Sequence, residues 1–397
     1  MEILFQRFGE KYARTKIETL REFDNKIDWD NQLIGIKGSR GIGKTTLVLQ
    51  HIKKNFKADE TVLYASLDHL YFQEHSLYAT ADVFHKKGGR LLALDEVHRY
   101  PNWSVELKNI YDDFPGLKVI FTGSSLLQIS KAKSDLSRRA VMYNMPGLSF
   151  REFLKFETGI HFDVVHFDDL IRDHRQISLE IISKLKPLAY FSHYLQYGFY
   201  PFYLENRRAF HQKLGEVLQM ILDVDIPQYE QMQISNIPAI KKLLQIISGS
   251  VPFKPNYNTI SGRSGISINT VKNYIGYLSE AQLLLLLRSA TSNLGNMGKP
   301  EKIYLHNPNL MYTMVGNNAD IGNIRETFFF NQVSHVAEVL ASPHSDFLVN
   351  GRYTFEIGGK KKSKKEIEEL PDSYIVKDDI EVGVENVVPL WLFGMMY

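Results

Sequence analysis

Four short apolar runs stand out in the first 150 residues of the chain. They are rich in Val, Ile and Leu and cover residues 32–38, 61–67, 90–95 and 117–123. Between them lie segments with helical periodicity, such as residues 44–56 and 103–114. Apolar strands that alternate with helices are typical of a parallel sheet covered on both faces. The pattern therefore predicts an α/β domain over residues 1–158, built as a parallel three-layer sandwich.

The pattern becomes mainly helical from about residue 160. Within residues 257–287 it predicts a helix, a tight turn containing Gly265, a second helix capped by Ser267, and a strand. This order is typical of a winged helix-turn-helix, so we assign residues 159–295 to a helical domain. The second helix offers only Asn269, Lys272 and Asn273 for reading DNA, which leaves a packing role and a DNA-binding role open.

The last part of the chain mixes a helix with strands. We expect a long amphipathic helix over residues 323–340 and strands at residues 346–350 and 353–357. The sequence therefore predicts a small α+β domain over residues 296–397.

Composition narrows the class of protein. A chain of 397 residues exceeds one ordinary core, while 44% hydrophobic and 23% charged residues are normal for a folded protein. The net charge of +2 gives no general argument for nucleic acid, and the lack of cysteine excludes disulfides, thiolate metal sites and a cysteine nucleophile. No apolar run approaches the length of a membrane span, and residues 1–16 lack the uninterrupted apolar core of a signal peptide, so we expect a cytoplasmic protein without membrane contact.

A glycine-rich loop follows the first predicted strand and opens a helix. Its residues are Gly38, Ser39, Arg40, Gly41, Ile42, Gly43, Lys44, Thr45 and Thr46, with the spacing G-x-x-x-x-G-K-T. Glycines allow backbone N–H groups to surround phosphate oxygens, and the helix N-terminus adds partial positive charge. The motif predicts ATP binding, with Lys44 on the β- and γ-phosphates and the Thr45 hydroxyl on Mg²⁺.

Two carboxylates end the third predicted strand. Asp95 suits the coordination shell of Mg²⁺, and Glu96 could polarise the water that attacks the γ-phosphate. Together with the glycine-rich loop, they favour ATP hydrolysis over binding alone.

Hydroxyls and arginines follow the fourth predicted strand. Thr122, Ser124 and Ser125 could contact the γ-phosphate or orient the water, although an ordinary turn would have the same composition. Arg138 and Arg139 could stabilise the transition state or could be surface residues.

These motifs resemble an ATPase family of the AAA+ superfamily in bacteria and archaea, whose C-terminal region has no assigned function and is described as nuclease-like. The resemblance extends over "FTGSSLLQIS", "MPGLSFREFL", "YLQYGFYP", "EKIYLHNPNLMY" and "IRETFFFNQV", which occur in the family's order. It implies a P-loop NTPase fold and a γ-phosphate sensor at Thr122 or Ser124. It also implies an arginine finger at Arg139, donated in trans within a homo-oligomer.

Acidic residues of the C-terminal region are arranged like those of PD-(D/E)xK nucleases. They are Glu326 on a helix, Asp346 before a strand and Glu356 near the end of the next strand. Such sites need carboxylates for Mg²⁺ and a lysine two residues after the carboxylate that Glu356 would correspond to here. Residue 358 is glycine, however, and Lys360 is the nearest lysine on the same face of the strand. We therefore predict a nuclease-like fold with a degenerate site, in which the lysine cluster is a solvated hairpin or a phosphate-backbone contact.

The sequence as a whole predicts a Mg²⁺-dependent ATPase whose nucleotide state moves the C-terminal domains. Two alternatives remain open. One is a nucleic-acid-binding protein or nuclease gated by ATP, and the other is a switch that binds ATP with little turnover.

Overall fold

The structure is a computed structural model that describes residues 1–123, 136–230, 232, 234–250, 252–289, 299–360, 362 and 370–397. The chain divides into two compact units, Met1–Pro146 and Gly147–Tyr397. Both predicted C-terminal domains fall within the second unit, and their boundaries at residues 158 and 295 remain predictions.

The first unit is built on a parallel sheet. Its described strands are β1 (Leu33–Lys37), β2 (Val62–Ser66), β3 (Leu91–Asp95), β4 (Lys118–Gly123) and β5 (Val141–Asn144). They lie in the order β2-β3-β4-β1-β5, and every neighbouring pair is parallel. All five residues of β3 are buried, which places cover on both faces because successive side chains point to opposite faces. The four strands predicted from apolar runs are thus confirmed.

Helices supply the cover. Those described in this unit are α1 (Glu2–Arg14), α2 (Lys44–Asn55), α3 (Tyr71–Glu74), α4 (Leu77–Lys86) and α5 (Trp103–Asp113). Helix α1 packs on β2 and α2, while α4 packs on α5. The predicted alternation of strands and helices is therefore present.

The second unit has a large helical part. Its described helices are α6 (Phe150–Thr158), α7 (Phe167–Ile182), α8 (Leu188–His193), α9 (Phe210–Met220), α10 (Ile226–Glu230), α11 (Ile237–Ser248), α12 (Tyr257–Ser264), α13 (Ile268–Glu280), α14 (Pro308–Val315) and α15 (Ile321–Val333). Helix α12 ends at Gly265, whose φ of 78° lies in the left-handed region, and the Ser267 side chain caps α13 by accepting from the Thr270 N–H. The predicted helix, turn and capped helix are all seen, while the winged-helix assignment stays a prediction.

Two sheets complete this unit. The described strands are β6 (Leu284–Leu287), β7 (Lys302–Leu305), β8 (Val339–Ala341), β9 (Phe347–Val349), β10 (Tyr353–Gly358), β11 (Ser373–Lys377) and β12 (Val387–Pro389). Strands β6 and β7 form an antiparallel pair. The order of the other sheet is β12-β11-β10-β9-β8, with β10, β11 and β12 parallel and β8, β9 and β10 antiparallel. The strands predicted at residues 346–350 and 353–357 are confirmed as β9 and β10.

The helix predicted over residues 323–340 is wrong in length and in character. Helix α15 ends at Val333, and residues 339–341 form β8 instead. Residues 327–333 are all buried, so this stretch has no polar face. The reason is that α15 packs on β10, on α14 and on the C-terminal turn Leu390–Met395, which together cover it.

Residues of three of the motifs quoted above, "YLQYGFYP", "EKIYLHNPNLMY" and "IRETFFFNQV", meet in a buried hydrogen-bond network. The Asn309 amide donates to the carbonyls of Tyr194 and Leu195 and accepts from the Phe199 N–H, at 2.8–3.0 Å. These groups belong to a π-helical turn, Tyr194–Gly198, and to the residue that follows it. The Gln332 amide donates to the Tyr194 hydroxyl at 3.0 Å. The network thus satisfies backbone groups around a non-standard turn.

The C-terminal segment is held inside the second unit. Its last carbonyl, that of Tyr397, accepts from the Ser149 hydroxyl at 2.6 Å and from the Arg151 guanidinium at 3.1 Å. Both donors are buried.

Among the described residues, no helix combines the length and the apolar character that crossing a membrane would require.

Candidate nucleotide-binding site

The glycine-rich loop joins β1 to α2 at the carboxyl edge of the sheet. Gly41 and Gly43 have φ values of 87° and 93°, a conformation that costs other residues strain. The loop then opens α2 at Lys44. The Lys44 ammonium donates to the carbonyls of Gly38 and Ser39 at 2.9 and 2.8 Å, so it lies folded into the loop.

Asp95 ends β3 and accepts hydrogen bonds from several directions. Its Oδ2 accepts from the hydroxyls of Thr45 and Tyr64, both at 2.6 Å. Its Oδ1 accepts from the Thr122 hydroxyl and from the Glu96 N–H. The strand register causes this convergence, because β2 and β4 flank β3 and bring their side chains to its carboxyl end.

Tyr64 is a part of this cluster that the sequence did not reveal. Burial, and next the charge of Asp95, raise the pKa of the Tyr64 phenol, so it remains a donor to the carboxylate. The Lys11 ammonium on α1 donates to the same phenol at 3.3 Å. Tyr64 lies within an apolar strand, and that position in the sequence does not indicate a contact with Asp95.

Glu96 has an unusual backbone and a specific neighbour. Its φ and ψ are 53° and 39°, a left-handed conformation that is uncommon for a residue other than glycine. Its Oε2 lies 3.2 Å from His98 Nε2 and 4.0 Å from Arg40 Nη2. Burial, followed by nearby cations, lowers the pKa of His98 to about 3. The imidazole is therefore neutral near pH 7, and Nε2–H donates to the carboxylate.

The base of the loop is braced by the last residues of the first unit. The Met145 N–H donates to the Lys37 carbonyl at 2.8 Å. The buried Arg21 guanidinium donates to the carbonyls of Ile42 and Pro146, both at 3.0 Å. A Cβ at Gly38 would lie 2.5 Å from the Met145 carbonyl oxygen, so only glycine fits there.

The remaining predicted residues of this site are partly accounted for. Arg139 forms a bidentate ion pair with Asp112 on α5, in which Nε donates to Oδ1 at 2.8 Å and Nη2 donates to Oδ2 at 2.9 Å. The pairing raises the pKa of Arg139 and lowers the pKa of Asp112. Arg138 is exposed and has a φ of 69°. Ser124 and Ser125 lie outside the described residues.

The side chains of this edge fit Mg²⁺ and a nucleoside triphosphate. Thr45 and Asp95 present oxygen atoms, which are the ligands that Mg²⁺ prefers, and they are already in contact. Lys44 and the N–H groups at the start of α2 provide the positive charge that phosphates need. Gly38, Gly41 and Gly43 keep the loop open to close approach of the ligand.

The predicted acidic residues of the C-terminal region lie on the expected elements and are paired with lysines, while their role as a degenerate nuclease site stays a prediction. Glu326 on α15 and Asp346 before β9 both contact Lys302 of β7, at 3.5 and 3.3 Å. Glu356 of β10 pairs with Lys362, whereas Lys360 is exposed. Lys302 and Lys362 were not predicted, because neither has a position relative to the carboxylates that a motif defines.

Two families match parts of this chain. Residues 30–154 match a family described as an AAA domain, and residues 188–321 match a domain of unknown function, DUF8612. Together with the parallel sheet and the loop geometry, the first match supports a P-loop NTPase fold of the AAA type for residues 30–154, most of which lie in the first unit.

Individual relatives are distant. An uncharacterized protein of Methanocaldococcus jannaschii is 26% identical over 317 residues, which are 76% of this chain and 66% of that protein. The match thus spans just under two thirds of the relative's length.

Solved structures that align with the chain include two ATP-related proteins. The Walker-type ATPase of Pyrococcus abyssi aligns with 12% identity and a TM-score of 0.42, covering 77% of this chain and 99% of that one. AMPPCP-bound DnaA from Aquifex aeolicus aligns with 18% identity and a TM-score of 0.26, covering 69% and 86%. Both scores are below 0.5, so neither alignment carries an argument about this chain.

We expect Gly38→Ala to damage the loop. Its new Cβ would press on the Met145 carbonyl, which should cost roughly 1–3 kcal/mol and lower ATP affinity by about tenfold or more. Gly9→Ala in α1 is the matched control, because a Cβ there meets nothing within 4 Å and should be neutral or stabilising by about 0.5–1 kcal/mol. Urea unfolding and equilibrium ATP binding measure both effects. Equal behaviour of the two variants would contradict the proposed packing of Gly38.

Proposed function

We propose that this chain is a Mg²⁺-dependent ATPase whose nucleotide state moves the domains of the second unit. The observation that supports hydrolysis most strongly is the contact of Thr45 with Asp95 at 2.6 Å, next to Lys44 and followed by Glu96. A P-loop, an acidic strand end and a following glutamate are the parts that this chemistry requires.

Each side chain has one task in this proposal. Lys44 leaves the carbonyls of Gly38 and Ser39 and donates to the β- and γ-phosphates. Thr45 and Asp95 would hold Mg²⁺, which would offset the charge on the phosphate oxygens. Thr122 donates to Asp95 and fixes the orientation of that carboxylate.

Glu96 is the group that we propose accepts a proton from the attacking water. General-base assistance of this kind contributes about 10²- to 10⁴-fold to the rate. Its present contacts with His98 and Arg40 hold the carboxylate in one orientation, so the nucleotide must compete for it. This arrangement supports turnover, and it also keeps open a slow switch in which Glu96 seldom leaves His98.

Arg139 is proposed as the arginine finger. A finger must reach the γ-phosphate, yet Arg139 is paired with Asp112 in its own unit. The pairing supports a role in trans, in which a second copy of the chain draws Arg139 away from Asp112. The homo-oligomer and the cytoplasmic location remain parts of the proposal.

The chain passes from the first unit to the second at residues 145–148, and we propose that this segment couples the nucleotide site to the second unit. In the first unit, the Met145 N–H donates a hydrogen bond to the Lys37 carbonyl. The Arg21 guanidinium donates to the carbonyls of Pro146 and of Ile42 in the loop. The carbonyls of Ile42 and Pro146 thus share one guanidinium. A change in the loop on nucleotide binding should therefore move Pro146.

The other side of this segment is equally well held. The Leu148 N–H donates to the Phe199 carbonyl at 2.8 Å, and the Tyr194 hydroxyl donates to the Leu148 carbonyl at 2.7 Å. A Cβ at Gly147 would lie 2.4 Å from the Phe199 ring. Gly147 and Leu148 are thus held within the second unit, as Met145 and Pro146 are held within the first, and these contacts support the proposed transmission of movement from the loop to the π-helical turn.

We expect Glu96→Gln to bind ATP with nearly unchanged affinity and to lower phosphate release by about 100-fold or more, because the amide cannot accept the water's proton.

Lys44→Ala should weaken ATP binding by about tenfold or more, since it removes the positive charge from the loop. Glu60→Gln, at an exposed position, is the matched control and should leave both quantities unchanged.

Phosphate release and equilibrium binding with Mg²⁺ distinguish the alternatives. No release by the parent, together with ATP binding that depends on Lys44, would favour the slow switch. Binding that is unaffected by Lys44→Ala would refute the site itself.

Tyr194→Phe tests the coupling at a position remote from the nucleotide. It removes the hydroxyl that holds Leu148, so ATP affinity should stay within about twofold while the response of the second unit declines. Hydrogen exchange with and without a non-hydrolysable ATP analogue should show nucleotide-dependent protection at residues 145–148 and 194–200 in the parent. In the variant, the change at residues 194–200 should be lost.

Tyr190→Phe on α8 is the matched control, because it removes a hydroxyl from the same region without touching Leu148. It should keep the response of the parent. A full response in Tyr194→Phe, or no response beyond Pro146 in the parent, would contradict the route through residues 145–148.

A further inference from the structure

Lys302 connects three elements of the second unit. Its Nζ lies 3.5 Å from Glu326 Oε2 and 3.3 Å from Asp346 Oδ1. The lysine is on β7, Glu326 is on α15, and Asp346 lies directly before β9. The side chains are only 21%, 16% and 16% exposed, so this is an enclosed ion pair and not a surface contact.

The two carboxylates need a cation between them. Burial, and next the negative charge of Asp346, raise the pKa of Glu326, while Lys302 opposes that rise. Two carboxylates that both lie within 3.5 Å of one ammonium are close enough to repel each other unless a positive charge or a proton intervenes. The position that Lys302 Nζ occupies is where a shared divalent cation would lie in a two-carboxylate site.

Other protein donors also contact these carboxylates. Glu326 Oε2, the oxygen near Lys302, accepts from the Tyr304 hydroxyl at 2.7 Å, and the second oxygen of Asp346, Oδ2, accepts from the Ile357 N–H at 3.0 Å. Glu356, the third acid of the predicted nuclease site, is paired with Lys362. Within the described part of the chain, no three His, Asp or Glu side chains are grouped to hold a metal ion. These residues therefore do not fit the Mg²⁺ site that a nuclease requires.

We propose that the Lys302 ammonium takes the place of a divalent cation between Glu326 and Asp346, so the second unit folds around an internal cation and does not load metal there. The lysine is a substitute that is covalently part of the chain. It holds β7, α15 and the segment before β9 together, as a structural metal ion would. The site is independent of the nucleotide site and does not rest on the proposed ATPase activity.

The substitution should be reversible by mutation. Without the Lys302 ammonium, Glu326 and Asp346 would present two oxygen ligands with no counter-charge, and Mg²⁺ or Mn²⁺ commonly binds through one or two carboxylates with water completing the shell. A cavity of about 440 Å³ lies beside Lys302 and Asp346. It gives a hydrated cation a way to reach the carboxylates.

The experiment compares the parent, Lys302→Met and Lys302→Met with Asp346→Asn, all as the full chain without nucleotide. Thermal unfolding is measured in EDTA and in increasing Mn²⁺. Lys302→Met should have a lower Tm in EDTA and should gain about 5 °C or more at Mn²⁺ concentrations about 100-fold above the Kd. The double variant should lose that gain, which excludes Mn²⁺ bound at the first unit as its cause.

Several outcomes would overturn the proposal. One is a Mn²⁺-dependent gain in the parent that Asp346→Asn abolishes, or cleavage of DNA or RNA by the parent that the same change abolishes. Another is a folded Lys302→Met that gains nothing from Mn²⁺, because the carboxylates would then not be arranged for a cation.

A second variant covers the case in which Lys302→Met does not fold. Lys302→Met with Glu326→Gln removes the repulsion between the two carboxylates, so it should recover soluble, cooperatively unfolding protein. Failure of this variant to fold would show that the ion pair is not what Lys302 contributes, and would also refute the proposal.

Discussion

The carboxylate of Asp95 is the point on which the first unit depends. It is buried at the carboxyl end of β3, where an unpaired charge would cost several kcal/mol, and it is stabilised by donors from three other elements and from its own chain neighbour. Hydrogen bonds to a charged group contribute roughly 1.5–3 kcal/mol each, so this cluster fixes the relative positions of α2, β2 and β4. The same contacts put the Thr45 oxygen next to that of Asp95, which supports the proposed Mg²⁺ site.

The second unit uses polar groups for a similar purpose but without the nucleotide chemistry. Asn309 and Gln332 satisfy backbone and hydroxyl groups around the π-helical turn, and Lys302 satisfies Glu326 and Asp346. In both cases, a buried polar group specifies how separate segments meet. Met145 and Pro146 form hydrogen bonds within the first unit and Leu148 within the second, which supports the proposal that this segment couples the nucleotide to the C-terminal domains.

Much of the first unit could be predicted because its signals are local. The apolar runs mark strands buried on both faces, and the glycine-rich loop has a spacing with a physical cause. Tyr64 and Arg21 could not be predicted, because each contacts residues that are distant in the sequence. His98 could not be predicted, because its contact with Glu96 accompanies a left-handed backbone at Glu96 that no sequence pattern indicates. Arg139 was found from its place in a motif, while its partner Asp112 lies 27 positions away.

The C-terminal region shows the limits of periodicity. A helix predicted to continue to residue 340 stops at Val333, since cover from several elements permits a run of buried residues without a polar face. The glycine at residue 358 indicated a degenerate site, but Lys302 and Lys362 show how its acids are neutralised, through contacts that no sequence spacing defines.

The measurement that tests the central claim most directly is the Mg²⁺ dependence of ATP hydrolysis in the parent and in Asp95→Asn, with Asp82→Asn on α4 as the control. We predict that Asp95→Asn needs at least about tenfold more Mg²⁺ for half-maximal phosphate release, while Asp82→Asn behaves like the parent. An unchanged Mg²⁺ requirement in Asp95→Asn would contradict the role we assign to this carboxylate.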